Sequence, residues 1–566
     1  MDGVRRKPSH SDQGPQAAAH RGRRLTDAAQ PADSPVHDVC VVGAGPVGIA
    51  VALACAERGQ RVLLIESGGD RETEEAAALS DAVIDEALGH APMRVAVRRA
   101  VGGTSAWWGG RCVPFDPIDF ASRPWVSYSH WPLRYEDVQP WFQPATAFFG
   151  CAPARYRAPD TPWSLDGADF RDLERWAPVP DMARVHRDRL SALGVTLAAS
   201  TTVTDMTPSP DGKAVDSLVA FHDRQAISLR ASQYVLACGG LETTRLLLAT
   251  QQARPSLFGG GDGPLGRFYA GHMSGKLADL VFETPDDARH ADFFMDGDAF
   301  ARRRFTLNAE TQTREELLNI AFWIDNPPFR DPGHGNGTLS LIWMALAAPF
   351  IGRRLASDGV RLSHVGPPPH RWRDHLLNVL RRPDRLAREL WGVLRKRLFG
   401  RPSQPGFLLR SRSGRYALHY HCEQSPDPES RVRLSGETDA AGMPRLRIGL
   451  KFREEDAASI VRAHEVLDRA LQAAGAGRLI FKAEPEHRVA LVMAQAADGF
   501  HQTGLTRMGS GPSDSVVDGD CLVHGLTNLS IASSSVFPSS GQANPTLMAV
   551  ALGLRIAERL SRETAS

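Results

Sequence analysis

The chain has 566 residues with 66 Lys and Arg against 65 Asp and Glu, and a net charge of +1 excludes capture of nucleic acid by overall charge. At 42% hydrophobic and 23% charged residues, the composition is that of a globular protein, which excludes a fibrous or wholly disordered chain. Seven scattered cysteines without a CxxC pair form neither a disulfide framework nor a zinc site, so a reducing, cytoplasmic setting is expected.

Residues 1–35 are polar and rich in Pro, Ala and Arg. Arg5-Arg6 and Arg23-Arg24 look like twin-arginine pairs, but no apolar run follows either before Val39, so the segment reads as a disordered tail. No stretch approaches the roughly 18 uninterrupted apolar residues of a membrane span. Order is expected from His37: a strand at Asp38–Val42, a turn at Gly43-Ala44-Gly45-Pro46-Val47-Gly48, a helix from Ile49, and a second strand at Val62–Ile65 ending in Glu66. A lone GxGxxG is weak, but a strand before it, a helix after it and Glu66 at the end of the next strand make this a dinucleotide-binding unit. The bare glycines admit a pyrophosphate to the amides and positive end of the helix beginning near Pro46, and Glu66 accepts hydrogen bonds from a ribose. Tyr234 to Gly240 repeats the strand-then-glycine pattern and leads into a helix through Leu248. Alternation at 215–233, Val432–Leu434 and Leu446–Leu450 predicts a second, largely antiparallel sheet.

Residues 351–400 carry twelve Arg and Lys against four Asp and Glu, a net of +8 (12 − 4). Trp372, Leu376, Leu377, Val379, Leu380, Leu386, Leu390, Trp391 and Leu394 recur there at nearly helical spacing. One reading is a face for an anionic membrane or a redox partner; the other is an arginine-rich helix that buries its apolar side within its own domain.

Three further segments carry a resemblance: Val101-Gly102-Gly103-Thr104-Ser105-Ala106-Trp107-Trp108-Gly109-Gly110-Arg111, His501 to Gly509, and Ser540 to Leu547 with Asn544-Pro545-Thr546. With the first βαβ unit, the chain resembles the glucose-methanol-choline (GMC) oxidoreductases from about residue 36 to 561. It looks closest to the bacterial branch near pyranose oxidase and fructose or gluconate dehydrogenase large subunits.

The resemblance implies an α/β fold in which a Rossmann-like FAD-binding domain (36–120, 190–275 and 500–566) interleaves with an α+β substrate domain on an antiparallel sheet (121–189 and 276–499). It implies FAD in an extended pose on Gly43, Gly45, Pro46, Val47, Gly48, Glu66 and Ser67, with Val203, at the end of its strand, meeting the adenine. The ring lies at Gly102, Gly103, Ser105, Trp107, Trp108 and Gly109, with Ala237, Gly239, Ala532, Ser533, Asn544, Pro545 and Thr546 as further contacts. Some relatives attach the flavin covalently through a His where this chain has Ala106-Trp107-Trp108, so dissociable FAD is expected, with an indole against or near the ring. His501 corresponds to the family's catalytic base and Asn544 to its hydrogen-bonding partner. Alcohol oxidation needs such a pair, because the hydroxyl proton must leave before the carbon yields hydride, and a neutral amide steadies the oxygen without competing for the proton. Leu505 departs from the motif's usual Thr.

His419 and His421 share one face of a predicted strand while Cys422 takes the other, so they read as pocket-lining residues rather than metal ligands. His272 reads as structural. The expected reaction is oxidation of a sugar, glycoside or cyclitol hydroxyl, with O2, a quinone or a redox protein as electron acceptor and neither metal nor nucleic acid involved. The alternative is the flavoprotein subunit of a membrane-associated electron-transfer dehydrogenase. An aromatic hydroxylase or amine oxidase shares the βαβ unit but lacks the His501 and Asn544 segments.

Overall fold

The computed structural model describes residues 37–222, 225–355, 361, 364–366, 368–411 and 413–565; the expected tail at 1–35 lies outside them. The elements that position the site are, in chain order, β1 (His37–Val42), α1 (Pro46–Ala56), β2 (Val62–Ile65), β3 (Thr196–Ala198), β4 (Ala231–Leu236), α2 (Gly240–Ala253), β5 (His272–Phe282) and β6 (Ile320–Asp325). After these come α3 (Gly337–Ala347), α4 (Trp372–Arg381), α5 (Pro383–Leu394), β7 (Arg415–Glu423), β8 (Leu529–Ile531) and α6 (Thr546–Ala565).

Five strands form a parallel sheet in the order β8-β4-β1-β2-β3. Parallel strands are covered on both faces, which is why β1 and β2 read as unbroken apolar runs and are almost wholly buried. Helix α1, of small apolar residues, packs on α6, and Gly553 lets the two approach: a Cβ there would lie 3.1 Å from Val47 and Val51 side chains. The sheet thus joins strands from residues 37–65, 196–198, 231–236 and 529–531.

A second sheet of six strands is antiparallel, in the order Gly477–Phe481, β5, β7, β6, Phe305–Leu307, Ala168–Asp169. One face carries Met273, Leu418, Tyr420 and Cys422 into a core closed by the helix Glu454–Ala473. The other carries His272, Ser274, Trp323, His419 and His421, in register across β5, β7 and β6. Strand β5 belongs wholly to this sheet and so crosses the boundary expected at 275.

The strands expected from alternation at 215–233 and 432–450 lie elsewhere. Val215–His222 pairs with Thr201–Pro208 and Gln225–Leu229 as a separate three-stranded sheet, and Arg431–Thr438 with Pro444–Gly449 is a hairpin joined to Val83–Ile84. Register shifts interrupt both ribbons, after Val203 and after Leu434, and such irregularities twist a ribbon out of a larger sheet. Val203 stands near the start of its strand, not the end. Among the described residues, no helix is long and apolar enough to cross a membrane.

Candidate active site

Where β1 runs into α1, the backbone makes a turn that only glycine tolerates. Gly43 has φ +103°, and a Cβ on it would fall 2.5 Å from the Ala237 carbonyl oxygen; on Gly48 it would fall 1.8 Å from that of Gly43. A Cβ on Gly45 would meet nothing within 4 Å, because Gly45 faces a cleft. Gly45 caps α1 without a side chain, so the first-turn amides have no side-chain acceptor.

The cleft, together with the solvent space at its open mouth, amounts to about 1290 Å³. Fourteen of the expected contacts line it: Gly43, Gly45, Pro46, Val47, Glu66, Ser67, Gly103, Val203, Ala237, Gly239, Ala532, Ser533, Pro545 and Thr546. Glu66 accepts from the Ala44 amide at 3.0 Å and the Gly68 amide at 2.9 Å. Burial pushes its carboxyl up to about 7, against the pull of those amides and of Arg99. Arg99 and Glu242 form a buried ion pair in the wall, and Arg99 also donates to Ser67 Oγ at 2.7 Å. Nothing in the local sequence marked that pair, because its members are 143 positions apart.

Seven expected contacts do not line the cleft, Asn544 among them. Gly48 lies behind the turn, Gly102 against Ala183 and Asp181, and Gly109 opens on other space. Ser105 is buried, bonded to the Gly102 carbonyl and the Met182 amide. Nor do the indoles reach it: Trp108 donates to the Pro180 carbonyl at 2.9 Å and packs on Phe149, while Trp107 is exposed beneath the Arg98 guanidinium.

His501 and Asn544 sit beside the cleft, each next in sequence to lining residues: Phe500 and Gln502, and Pro545. Asn544 Nδ2 donates to His501 Nε2 at 3.0 Å, and His501 Nδ1 meets Asp498 Oδ2 at 2.9 Å. The carboxylate therefore accepts from Nδ1–H, which stays on the ring, and leaves the Nε2 lone pair outward. Burial alone would raise the Asp498 carboxyl, but the adjacent His501, by charge and by hydrogen bond, holds it well below the usual carboxylate range. Asp498 also accepts from the backbone amides of Phe500, His501 and His272. It went unrecognised in the sequence, although the Asp498-x-x-His501 spacing was visible. Leu505 lies in a hydrophobic cluster with Leu241 and Tyr269, and the hydrogen-bond partner of His501 Nδ1 is Asp498.

Two more imidazoles crowd His501. His272 is fully buried, its Nδ1 3.9 Å from Asp498 Oδ2; its ring stacks on His421 at 4.1 Å and meets His501 edge-on at 4.6 Å. Burial first, then the neighbouring His501, hold the His421 imidazole well below the usual range, and burial with both neighbouring imidazoles does the same to His272. Each of the three rings has a nitrogen within 4.8 Å of the others'. The nearly parallel His272 and His421 planes, 18° apart, cannot both point an in-plane lone pair at one ion, and both His501 nitrogens are engaged. His419 lies further along β7, stacked on Trp323 at 4.5 Å, and burial brings its imidazole down to about 3.

Residues 426–553 match the family model described as GMC oxidoreductase, and residues 38–267 that described as FAD dependent oxidoreductase. The chain carries a GMC oxidoreductase domain. A C-glycoside 3-oxidase of Arthrobacter globiformis is similar to this chain at 32% identity over 26% of it, spanning only 27% of that relative's own length. A 2-methyl-1,2-propanediol dehydrogenase of Mycolicibacterium austroafricanum is 22% identical over 93% of this chain and 95% of its own. Among solved structures, pyridoxine 4-oxidase from Mesorbium loti shares the fold, with a TM-score of 0.50 at 17% identity, covering 92% of this chain and 99% of its own.

FAD is the cofactor of these families. The residues present fit it: an uncapped helix start at a glycine that leaves the cleft open, Glu66 beside that turn, and Asn544, whose buried Oδ1 has no protein partner.

Proposed function

We propose that the protein oxidises an alcohol group of a sugar, glycoside or cyclitol to a carbonyl, with His501 as the base and Asn544 beside it. The observation that carries this reading is the row Asp498, His501, Asn544, held at hydrogen-bonding distances on the edge of a dinucleotide-sized cleft. Of the three clustered imidazoles, His501 is the one whose Nδ1 a carboxylate holds in place. FAD supplies the hydride acceptor when bound.

The substrate hydroxyl takes the place of Asn544 at His501 Nε2 and gives up its proton there, while Asp498 keeps the Nδ1 proton in place. Asn544 Nδ2 then donates to the oxygen as it becomes an alkoxide, the charge state in which its carbon releases hydride most readily. His419 and His421, both held neutral, and Ser274 present hydrogen-bonding groups to the substrate from the sheet face, which suits a polyhydroxylated ring. The similarity to an enzyme named for oxidising C-glycosides at position 3 supports that substrate class.

We further read the FAD as dissociable, because Ala106, Trp107 and Trp108 offer no nucleophile for a covalent link. The electron acceptor is O2, a quinone or a redox protein. All seven cysteines are free thiols, six of them buried, which supports a reducing compartment such as the cytoplasm.

The test is anaerobic mixing of the yellow protein with sugars, glycosides, cyclitols and simple alcohols while flavin absorbance is followed. Bleaching by a sugar-type alcohol in the wild type, at least a hundredfold slower in His501→Ala, is the expected result. Equal bleaching in the variant would remove His501 from its role. Admitting air or a soluble quinone afterwards identifies the acceptor.

A further inference from the structure

Helix α4 is built inside out. In α4 the side chains that face the protein are polar: His375 stacks on Trp343 of α3 at 4.0 Å and bonds Ser340 Oγ at 3.0 Å, and Asn378 donates to the Pro332 carbonyl at 2.8 Å. The apolar side faces away, with Leu376 47%, Leu377 51% and Leu380 66% exposed. Helix α5 buries no residue fully; Val393 packs against the core that holds Trp343, Glu389 accepts from Thr338 Oγ1 at 2.8 Å, and Trp391 stands 61% exposed. Phe350 and Ile351, just after α3, and Phe399, near Trp391, are exposed too. The sequence alone left open a helix that buries its apolar side at home; for α4 the geometry is the reverse. Apolar residues concentrated on adjoining helices, with polar groups turned inward, mark an interaction surface.

Charge selects the occupant. The stretch 351–400 has a net of +8, and its described acids, Asp374, Asp384 and Glu389, are each paired with an arginine of the same segment. Leucine and tryptophan on an outward helix face bordered by arginines match the boundary between acyl chains and anionic headgroups. We infer that the outward faces of α4 and α5 seat this protein on an anionic lipid bilayer, lying on it without crossing it. Among the described residues no helix is long and apolar enough to span one.

The test uses the FAD-loaded full chain in flotation with phosphatidylcholine vesicles, with and without about one-quarter phosphatidylglycerol. The expected result is binding to the anionic vesicles at about 0.1 M salt, weakened severalfold at about 0.5 M, where the Debye length shortens. Leu376→Glu/Leu380→Glu should lose at least about tenfold in partitioning, and Arg373→Ser/Arg381→Ser about fivefold per arginine, with flavin content and melting temperature unchanged. Equal binding to neutral vesicles, or none to either, would overturn the inference. So would a concentration-dependent dimer that the leucine variant abolishes in the absence of vesicle binding, because the face would then belong to a second copy. A pull-down of a soluble protein without vesicle binding would reassign it to a protein partner. None of these outcomes depends on turnover, so the inference and the proposed reaction fail separately.

Discussion

Asp498 and His501 face each other across three positions of one loop, Oδ2 to Nδ1 at 2.9 Å. The carboxylate fixes which ring nitrogen carries the proton. Asp498→Asn keeps the shape and an acceptor for the backbone amides but lets an amide N–H face Nδ1, which moves the proton to Nε2. Flavin reduction by a saturating alcohol should slow by about 10²–10⁴-fold, with the FAD dissociation constant little changed; stopped-flow bleaching and fluorescence titration check the two halves.

Glu66 ties cofactor affinity to pH. Its folded-state pKa, about 7, lies above the ordinary 4.5, so in the FAD-free protein the buried acid stabilises the fold fully below about 4.5. That contribution, on the order of 3 kcal/mol, is lost as pH rises through 7. A ribose hydroxyl needs the carboxylate as acceptor, so FAD should bind more tightly from pH 5.5 to about 7 and level off above it. Glu66→Gln should flatten the affinity profile and shrink the difference between apoprotein melts at pH 5 and pH 8.

The two outer glycines of the motif and the middle one answer to different pressures. Gly48→Ala drives a Cβ to 1.8 Å from a backbone oxygen and should destabilise the fold by about 3 kcal/mol or more, seen as a lowered melting temperature with or without FAD. Gly45→Ala meets no protein atom within 4 Å, so its methyl enters the cleft; the apoprotein should melt as wild type while FAD affinity falls about tenfold or more.

Acid precipitation should release all yellow colour into the supernatant, because no nucleophilic side chain stands in the Ala106-Trp107-Trp108 stretch. Colour retained in the pellet would show a covalent link. Dialysis against a chelator should leave the turnover rate unchanged, since the stacked His272 and His421 cannot jointly ligate an ion.

The dinucleotide turn was readable in the sequence because strand, glycines, helix and Glu66 fall within some thirty consecutive residues whose apolar runs speak for themselves. Strand β7 was readable too, with His419 and His421 on one face and Cys422 on the other. What joins distant segments was not. The Arg99–Glu242 pair, the His272–His421 stack and the assignment of short alternating ribbons to sheets depend on tertiary packing, and local patterning carries no trace of it. The amphipathic period of α4 was visible, but its direction was not, because hydrophobicity normally points inward and here His375 and Asn378 do. Asp498 shows a third limit: an acid three residues before a histidine is common, and its service to Nδ1 emerges only when the loop sets the ring's orientation.

The edge strand β8 joins a sheet founded by residues 37–42, and Gln60 after α1 bonds the Leu560 carbonyl, 500 positions away. A ribosome emits the head of this chain long before the segments that complete its nucleotide bed. Newly made polypeptide must therefore wait, exposed and without prosthetic group, until nearly its whole length has emerged. Supply of flavin during expression should accordingly govern yield through the survival of that waiting form, more than through the strength of the finished grip.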